Sequence, residues 1–416
     1  MCIIKNPKSW KHPALLLITI GISNIGDFIH LVAINIMVYQ LTGSAAAVAG
    51  LWIISPLTNI VTKFWTGSFI DYRSKRKVMG ATFILRGLFI CLIPYAPNMV
   101  VIYGILVILS VGKAFYNPAS MTYVAILIPT EKRKRFNSVR SFVDSGAFII
   151  GPAIGGALIL STSVEATLWI NAISFILAAI LLLLLPEKEE IDKEAIPALT
   201  ISQVVRDFTV VQKFMRENKY VTFIYLGSII IMIFSFAMDA QEVVFTQQVI
   251  GLSELEYSLL ISITGIGSLV GAMLLTIFSN KMSLRHMIVI GLIMWTVGYV
   301  IYAFSWSFAS IIVGFVILGF FNVFLNAGIM TFYQNNVSIE VMGRVTSIYQ
   351  LIQSAIQVIF ILAIGVVADL VSLRMTIVTL ALVMLVASII FSVSVLKPDK
   401  QGFYREDDGE SNLEVK

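Results

Sequence analysis

A chain of 416 residues that is 58% hydrophobic and 13% charged, with a mean hydropathy of +0.91, carries more apolar surface than one or two soluble cores can hide. That composition describes an all-α integral membrane protein rather than a soluble enzyme. The net charge of +5 does not point to nucleic acid, because the cations lie between apolar stretches, where membrane topology explains them. Cys2 and Cys91 are too few for a disulfide framework or a metal site. No Gly-x-x-x-x-Gly-Lys-Ser/Thr loop occurs, so neither ATP nor any other cofactor is expected.

The basic opening from Met1 to Lys11 leads into an apolar stretch at about 13–39. This is too long for the roughly 7–15-residue core of a signal peptide and reads as an uncleaved first span. Further spans fall at about 45–70, 78–96, 99–128, 136–160 and 166–186, then at about 220–248, 257–279, 286–304, 308–332, 345–368 and 375–396. Of the 29 Lys and Arg only Arg374 then falls in an outer loop, which places both termini in the cytoplasm of a multi-pass plasma-membrane protein. The expected organisation is an N-terminal six-helix half (1–186), a cytoplasmic linker (187–219), a C-terminal six-helix half (220–396) and a disordered cytoplasmic tail (397–416). Within the linker, Val204, Phe208, Val211 and Met215 recur at helical spacing, with Arg206, Asp207, Lys213 and Arg216 elsewhere on the turn. This reads as an amphipathic helix on the inner membrane surface, either coupling the halves or merely tethering them.

The halves repeat each other. A shift of 209 residues places Phe115, Asn117, Met121 and Thr122 on Phe324, Asn326, Met330 and Thr331, and Glu131, Arg135 and Ser138 on Glu340, Arg344 and Ser347. One offset serving several segments indicates two parallel six-helix halves.

The polar stretch between the second and third spans runs from Gly67 through Asp71 to Arg73, Lys75, Arg76 and Lys77. It resembles the loop at this place in major facilitator transporters, with Ser74 where that family has a second glycine. The resemblance implies that Asp71 pairs with a neighbouring helix end in one transport state and releases it in another; a purely topogenic charge cluster is the alternative. In the fifth span, Gly146, Gly151, Pro152, Gly155 and Gly156 fall within about three turns, a composition that permits close helix approach and bending. This cluster resembles the fifth-helix signature of drug and proton antiporters of the superfamily. The Asn117-Pro118-Ala119 turn and the Glu340-to-Val345 stretch resemble macrolide-efflux-like bacterial exporters.

Ionisable groups inside apolar spans cost about 2.5–3.5 kcal/mol at the bilayer centre and so are functional candidates. Asp27, Lys113, Asp239 and Glu242 stand out for proton coupling. Asp239 and Glu242, three apart, share a helical face and repel, or else line a wet outer vestibule. Many drug exporters carry an arginine in the fourth helix where this chain has Leu109. Lys113 lies one turn on, with Asp27 the preferred partner and Glu242 the second. Lys63 and the Arg140–Asp144 pair lie close to inner span ends, Arg86 suits a structural ion pair, and His30 either titrates or packs.

A cavity between helices one, four, seven and ten would draw on Phe28, Phe115, Tyr116, Asn117, Phe234, Met238, Phe320, Asn322 and Asn326, joined by Gln350, Gln353 and Gln357 on helix eleven. Aromatics, methionine and amides suit bulky amphipathic cargo rather than phosphorylated metabolites. The reading is a monomeric secondary transporter in the lipid bilayer that exports drug- or antibiotic-like small molecules in exchange for protons. A proton-coupled nutrient importer and a non-transporting sensor of the same fold are the alternatives.

Overall fold

In the computed structural model, residues 10–42, 45–189 and 200–405 are described, and among them no strand occurs. The helices are α1 (Lys11–Thr42), α2 (Ala45–Ile70), α3 (Lys75–Leu92), α4 (Met99–Leu127), α5 (Thr130–Ser161), α6 (Val164–Leu183), α7 (Ile201–Glu217) and α8 (Lys219–Ala240), followed by α9 (Glu254–Phe278), α10 (Leu284–Phe304), α11 (Phe308–Asn336), α12 (Ile339–Leu370) and α13 (Leu373–Leu396). Eleven of these are long and apolar enough to cross a membrane; α2, with 26 residues, is the twelfth of that length. Continuous helices are the form that keeps every backbone polar group bonded inside lipid. Their exposed first amides are capped by short polar side chains: Asn98, Ser163, Ser253, Ser283, Ser307 and Ser372 each accept from the backbone three residues on.

The chain forms two compact units. The first comprises residues 1–129, 146–208 and 339–347, and the second 130–145, 209–338 and 348–416. In the first, α1 packs on α6, α3 on α4 and α6, and α2 on α4. In the second, α8 packs on α13, α10 on α11 and α13, and α9 on α11. The same neighbour pattern occurs twice, as the internal repeat requires.

Several boundaries differ from the sequence expectation. α5 and α12 begin at Thr130 and Ile339 rather than near 136 and 345. Their opening turns are charged, which hides them from a hydropathy reading, yet Glu, Lys and Arg are good helix formers. The seventh span ends at Ala240 rather than 248; a turn at Gln241 leads into a short helical piece, Glu242–Val244, and one π-helical stretch, Phe245–Ile250.

The linker helix also needs correction. Its buried face carries Gln203, Asp207 and Val211, so Asp207 points inward rather than lying on the polar side. The tail is not uniformly disordered either. Pro398–Tyr404 is a 3₁₀ helix whose Tyr404 is buried, its hydroxyl hydrogen-bonded to that of Tyr220 at 2.8 Å and its ring against Phe332. Asn336 holds the same segment by donating to the Phe403 carbonyl at 2.9 Å. The expected disorder beyond Arg405, the N-terminal basic segment up to Ser9, the turn at 43–44 and the linker at 190–199 lie outside the described residues.

Candidate functional site

The most elaborate polar cluster of the first unit sits where α2 ends. Gly67, on the last turn of α2, lies against the first turns of α12: a Cβ on it would come within 2.7 Å of the Arg344 Cα. That approach brings Asp71 to the α12 backbone. Its carboxylate accepts from the Gly343 amide at 2.8 Å, the Arg344 amide at 3.0 Å and the Arg344 Nε at 2.7 Å. Gly343 is needed for the same reason, since a Cβ there would overlap the Asp71 carboxylate. The rest of the Arg344 fork is also engaged. Its Nη1 donates to Asp207 at 3.0 Å and to the Tyr72 hydroxyl at 3.1 Å, and its Nη2 to the Glu340 carbonyl at 2.8 Å. Two buried carboxylates thus share one arginine, and Tyr72 and Gln203 also donate to Asp207 at 3.2 Å each. Alongside, the Thr66 hydroxyl donates to that of Ser347 at 2.9 Å. A planar guanidinium suits such a fork of oxygens where a lysine would not.

The cations of the same loop do other work. Arg76 and Lys77 pair with Glu187 at 2.9 and 3.0 Å, and Lys75 with Glu189 at 3.6 Å. Arg76 also donates to the Leu183 and Leu185 carbonyls at the end of α6, so the basic cluster fastens the chain leaving α6. Hydrogen bonds from Lys77 and Ser74 hold the Glu187 carboxyl below the usual carboxylate range, while burial pushes the Glu189 carboxyl up against the pull of Lys75. Arg73 lies over the Phe69 ring at 4.0 Å and donates to the Phe69 carbonyl. Beside it is a cleft of about 610 Å³, lined by Phe69, Val78, Ala81, Leu85 and Phe115 together with Arg73, Lys77, Glu187 and Glu189. In the second unit, the first turns of α5 reach main-chain carbonyls, Lys134 donating to Met282 at 2.7 Å and Arg133 to Gln334 at 2.6 Å, and side chains, Asn137 donating to Thr331 at 2.9 Å and to Gln334 at 2.8 Å.

Deeper in the first unit, Asp27 on α1 is paired with Arg86 on α3 and lies 3.4 Å from Lys113 on α4. The sequence points to Lys113 as the partner of Asp27; the structure adds the more deeply buried Arg86, whose guanidinium also stacks on Phe175 at 4.1 Å. Leu109 is buried and Lys113 is half exposed, with a side-chain exposure of 50%. In the second unit the Tyr299 hydroxyl donates to Asp239 at 2.8 Å, and Tyr257 is near Glu242. The turn at Gln241 separates the two acids into different helical pieces, yet their charges still interact.

The glycines of α5 divide into two sets. A Cβ on Gly151 would lie 2.5 Å from the Phe28 Cβ and one on Gly155 3.3 Å from the Ile29 Cα, so both sit against α1. Gly146 and Gly156 face open space, and Pro152 lies inside the helix. Of the cavity candidates, Phe28 packs edge-on against Phe148, Phe115 against Phe69 and Phe234 against Phe360. Tyr116 and Met238 are buried, and Tyr116 packs on Phe83. Asn326 donates to Asn322 at 2.8 Å, and Phe320 stacks on Phe324. Gln350, Gln353 and Gln357 are half-buried, the Gln350 Oε1 without a hydrogen-bond partner.

The sequence profile of the Major Facilitator Superfamily matches residues 16–352 and 242–412. The chain belongs to the major facilitator superfamily. Among curated relatives, the multidrug efflux pump Tap of Mycolicibacterium fortuitum is 24% identical over 91% of this chain and 95% of its own. The uncharacterized MFS-type transporter YfiS of Bacillus subtilis (strain 168) is 29% identical over 42% of each chain; the chain thus spans under half the length of that relative in the match. Two solved major facilitator structures show the fold. A variant of the Escherichia coli fucose:proton symporter superposes with a TM-score of 0.74 at 13% identity over 92% of this chain and 98% of its own. The human organic anion transporter MFSD10 superposes with a TM-score of 0.72 at 14% identity over 93% and 100%. The chain is therefore a multi-pass membrane transporter.

Within this major facilitator chain, three members of the α2–α12 cluster escape a reading of the sequence. Arg344 is visible there as a repeat of Arg135 and within the Glu340-to-Val345 stretch, with no partner to mark it. Tyr72 carries no sequence signal of its own. Asp207 falls on the wrong helix face as long as the apolar residues around it are weighted above the alternative Gln203, Asp207, Val211 stripe at the same spacing.

Proposed function

We propose that this transporter exports amphipathic, drug- or antibiotic-like small molecules across the plasma membrane as a monomer with both termini cytoplasmic, exchanging them for protons by alternating access. The observation that carries this reading is the Asp71–Arg344–Asp207 cluster. Buried charges clasping a helix backbone are stable when docked and soluble when released, which suits an element with two discrete arrangements. Asp239 and Glu242 supply the proton-carrying groups of this scheme, because Asp239 is bonded to a tyrosine hydroxyl rather than a cation and a carboxyl without a cation beside it can be neutral or charged. The Gly151–Pro152 turn packed on α1 and the match with the Tap efflux pump along most of the chain favour drug export over nutrient uptake.

The test is efflux of a panel of toxic and fluorescent compounds from an exporter-depleted bacterium expressing the chain, with and without a protonophore. Export that collapses with the protonophore and in Asp239→Asn is the expected result. Accumulation of cargo would make the chain an importer, and protonophore-insensitive export would remove antiport.

A further inference from the structure

Lys113 is the central residue of α4, fourteen positions from either end of Met99–Leu127, and its side chain is half exposed. An ammonium at that depth costs about 2.5–3.5 kcal/mol against lipid, which favours water or a polar guest on the exposed face of α4. Asn117, one turn on, is exposed on the same face. The charges around Lys113 do not balance. Among the described residues Asp27 is the one acid beside it, and that carboxylate is already committed to Arg86; the Lys113 Nζ stands at 3.4 Å from its other oxygen. Asp27, Arg86 and Lys113 together leave one positive charge over. A surplus cation on an exposed helix face is a recognition point for an anion, whose arrival neutralises the site instead of adding to its cost.

We propose that Lys113, with Asn117 beside it and the Asp27–Arg86 pair behind it, binds the carboxylate of an anionic amphipathic cargo, so that this transporter prefers anionic over neutral amphiphiles of the same shape. The inference rests on the reading of the chain as a carrier of amphipathic molecules and names a chemical class for them. Asp27 keeps Arg86 neutralised and holds the Lys113 stem in place; the ammonium offers its remaining donors to the guest and the Asn117 amide adds another. A phospholipid headgroup is the wrong source of the anion, since it lies at the membrane surface and Lys113 at its middle.

The experiment uses the full-length chain in nanodiscs of uncharged phospholipid and measures fluorescence binding of an anilinonaphthalene carboxylate and of its methyl ester. Wild type is expected to bind the carboxylate at least tenfold more tightly. Lys113→Met should remove that preference while still binding the ester, Lys113→Arg should keep it, and Asn117→Ala should reduce it. Adding anionic phospholipid to the discs should leave the preference in place; its disappearance there would assign the site to lipid and overturn the proposal. Equal affinity of wild type for the two probes, no binding of either, or an undiminished preference in Lys113→Met would also overturn it. If Lys113→Met does not insert, the wild-type comparison and Asn117→Ala decide. Efflux of the neutral ester from cells, measured separately, tests the export reading. A chain that selects the carboxylate but exports nothing loses that reading and keeps this site.

Discussion

Gly67→Ala isolates the contact on which the α2–α12 cluster depends. The added methyl would lie 2.7 Å from the Arg344 Cα and 3.2 Å from the Ser347 Cβ, whereas carbon atoms pack comfortably at about 3.5–4.0 Å. The nearest atom is backbone, so no rotamer change can relieve the overlap; α12 has to move away by roughly the missing distance. Overpacking of this kind costs about 1–3 kcal/mol, which at about 1.4 kcal/mol per factor of ten lowers the docked population roughly 5- to 150-fold. Because Asp71 reaches the Gly343 and Arg344 amides only when α12 is close, its hydrogen bonds weaken with the same displacement. Ser347, 1% exposed, reports on docking. With Cys2 and Cys91 replaced by serine and Ser347→Cys introduced, the rate of reaction with a membrane-permeant maleimide should rise by at least fivefold in Gly67→Ala, and net efflux should fall while membrane insertion stays normal. Unchanged labelling together with unchanged efflux would show that the close approach of α2 and α12 has no part in transport.

Further expectations follow from other contacts. Asp207→Asn leaves Arg344 paired with Asp71 alone and removes the carboxylate that ties α7 to Arg344 Nη1 at 3.0 Å; it should raise Ser347→Cys labelling, and an effect no larger than that of Glu217→Gln on the exposed end of α7 would show that α7 is only a tether. Gly151→Leu places a branched side chain where even a Cβ stands 2.5 Å from Phe28; export should be lost with insertion retained, and normal export would leave the α5 glycines without a role. Single cysteines at Ser163 and Ser253 should react with an impermeant thiol reagent added outside intact cells while one at Ser202 should not; reaction of all three would refute the assigned orientation.

The sequence by itself left the exact ends of α5, α8 and α12 unread but made the number of spans and the repeated halves legible. Each rests on a quantity that accumulates along the chain: about twenty apolar residues per crossing, the cations between them, and one offset of 209 residues. It also marked Asp71, Asp27, Lys113 and the α5 glycines, because a charge or a glycine cluster inside an apolar run stands out whatever it touches. Partners were beyond its reach. Asp71 meets Arg344 and Asp27 meets Arg86 across 273 and 59 residues of chain, and no local pattern connects such positions. Nor could periodicity decide which side of α7 is buried, since Val204, Phe208, Val211 and Met215 form one helical stripe and Gln203, Asp207 and Val211 another. Only the tertiary structure shows that Gln203 and Asp207 are buried, and Arg344 gives Asp207 a buried charge to pair with. The segment Pro398–Tyr404 shows the same limit: its composition is that of a solvated tail, yet Tyr404 is seated against Tyr220 and Phe332 and Asn336 holds the Phe403 carbonyl.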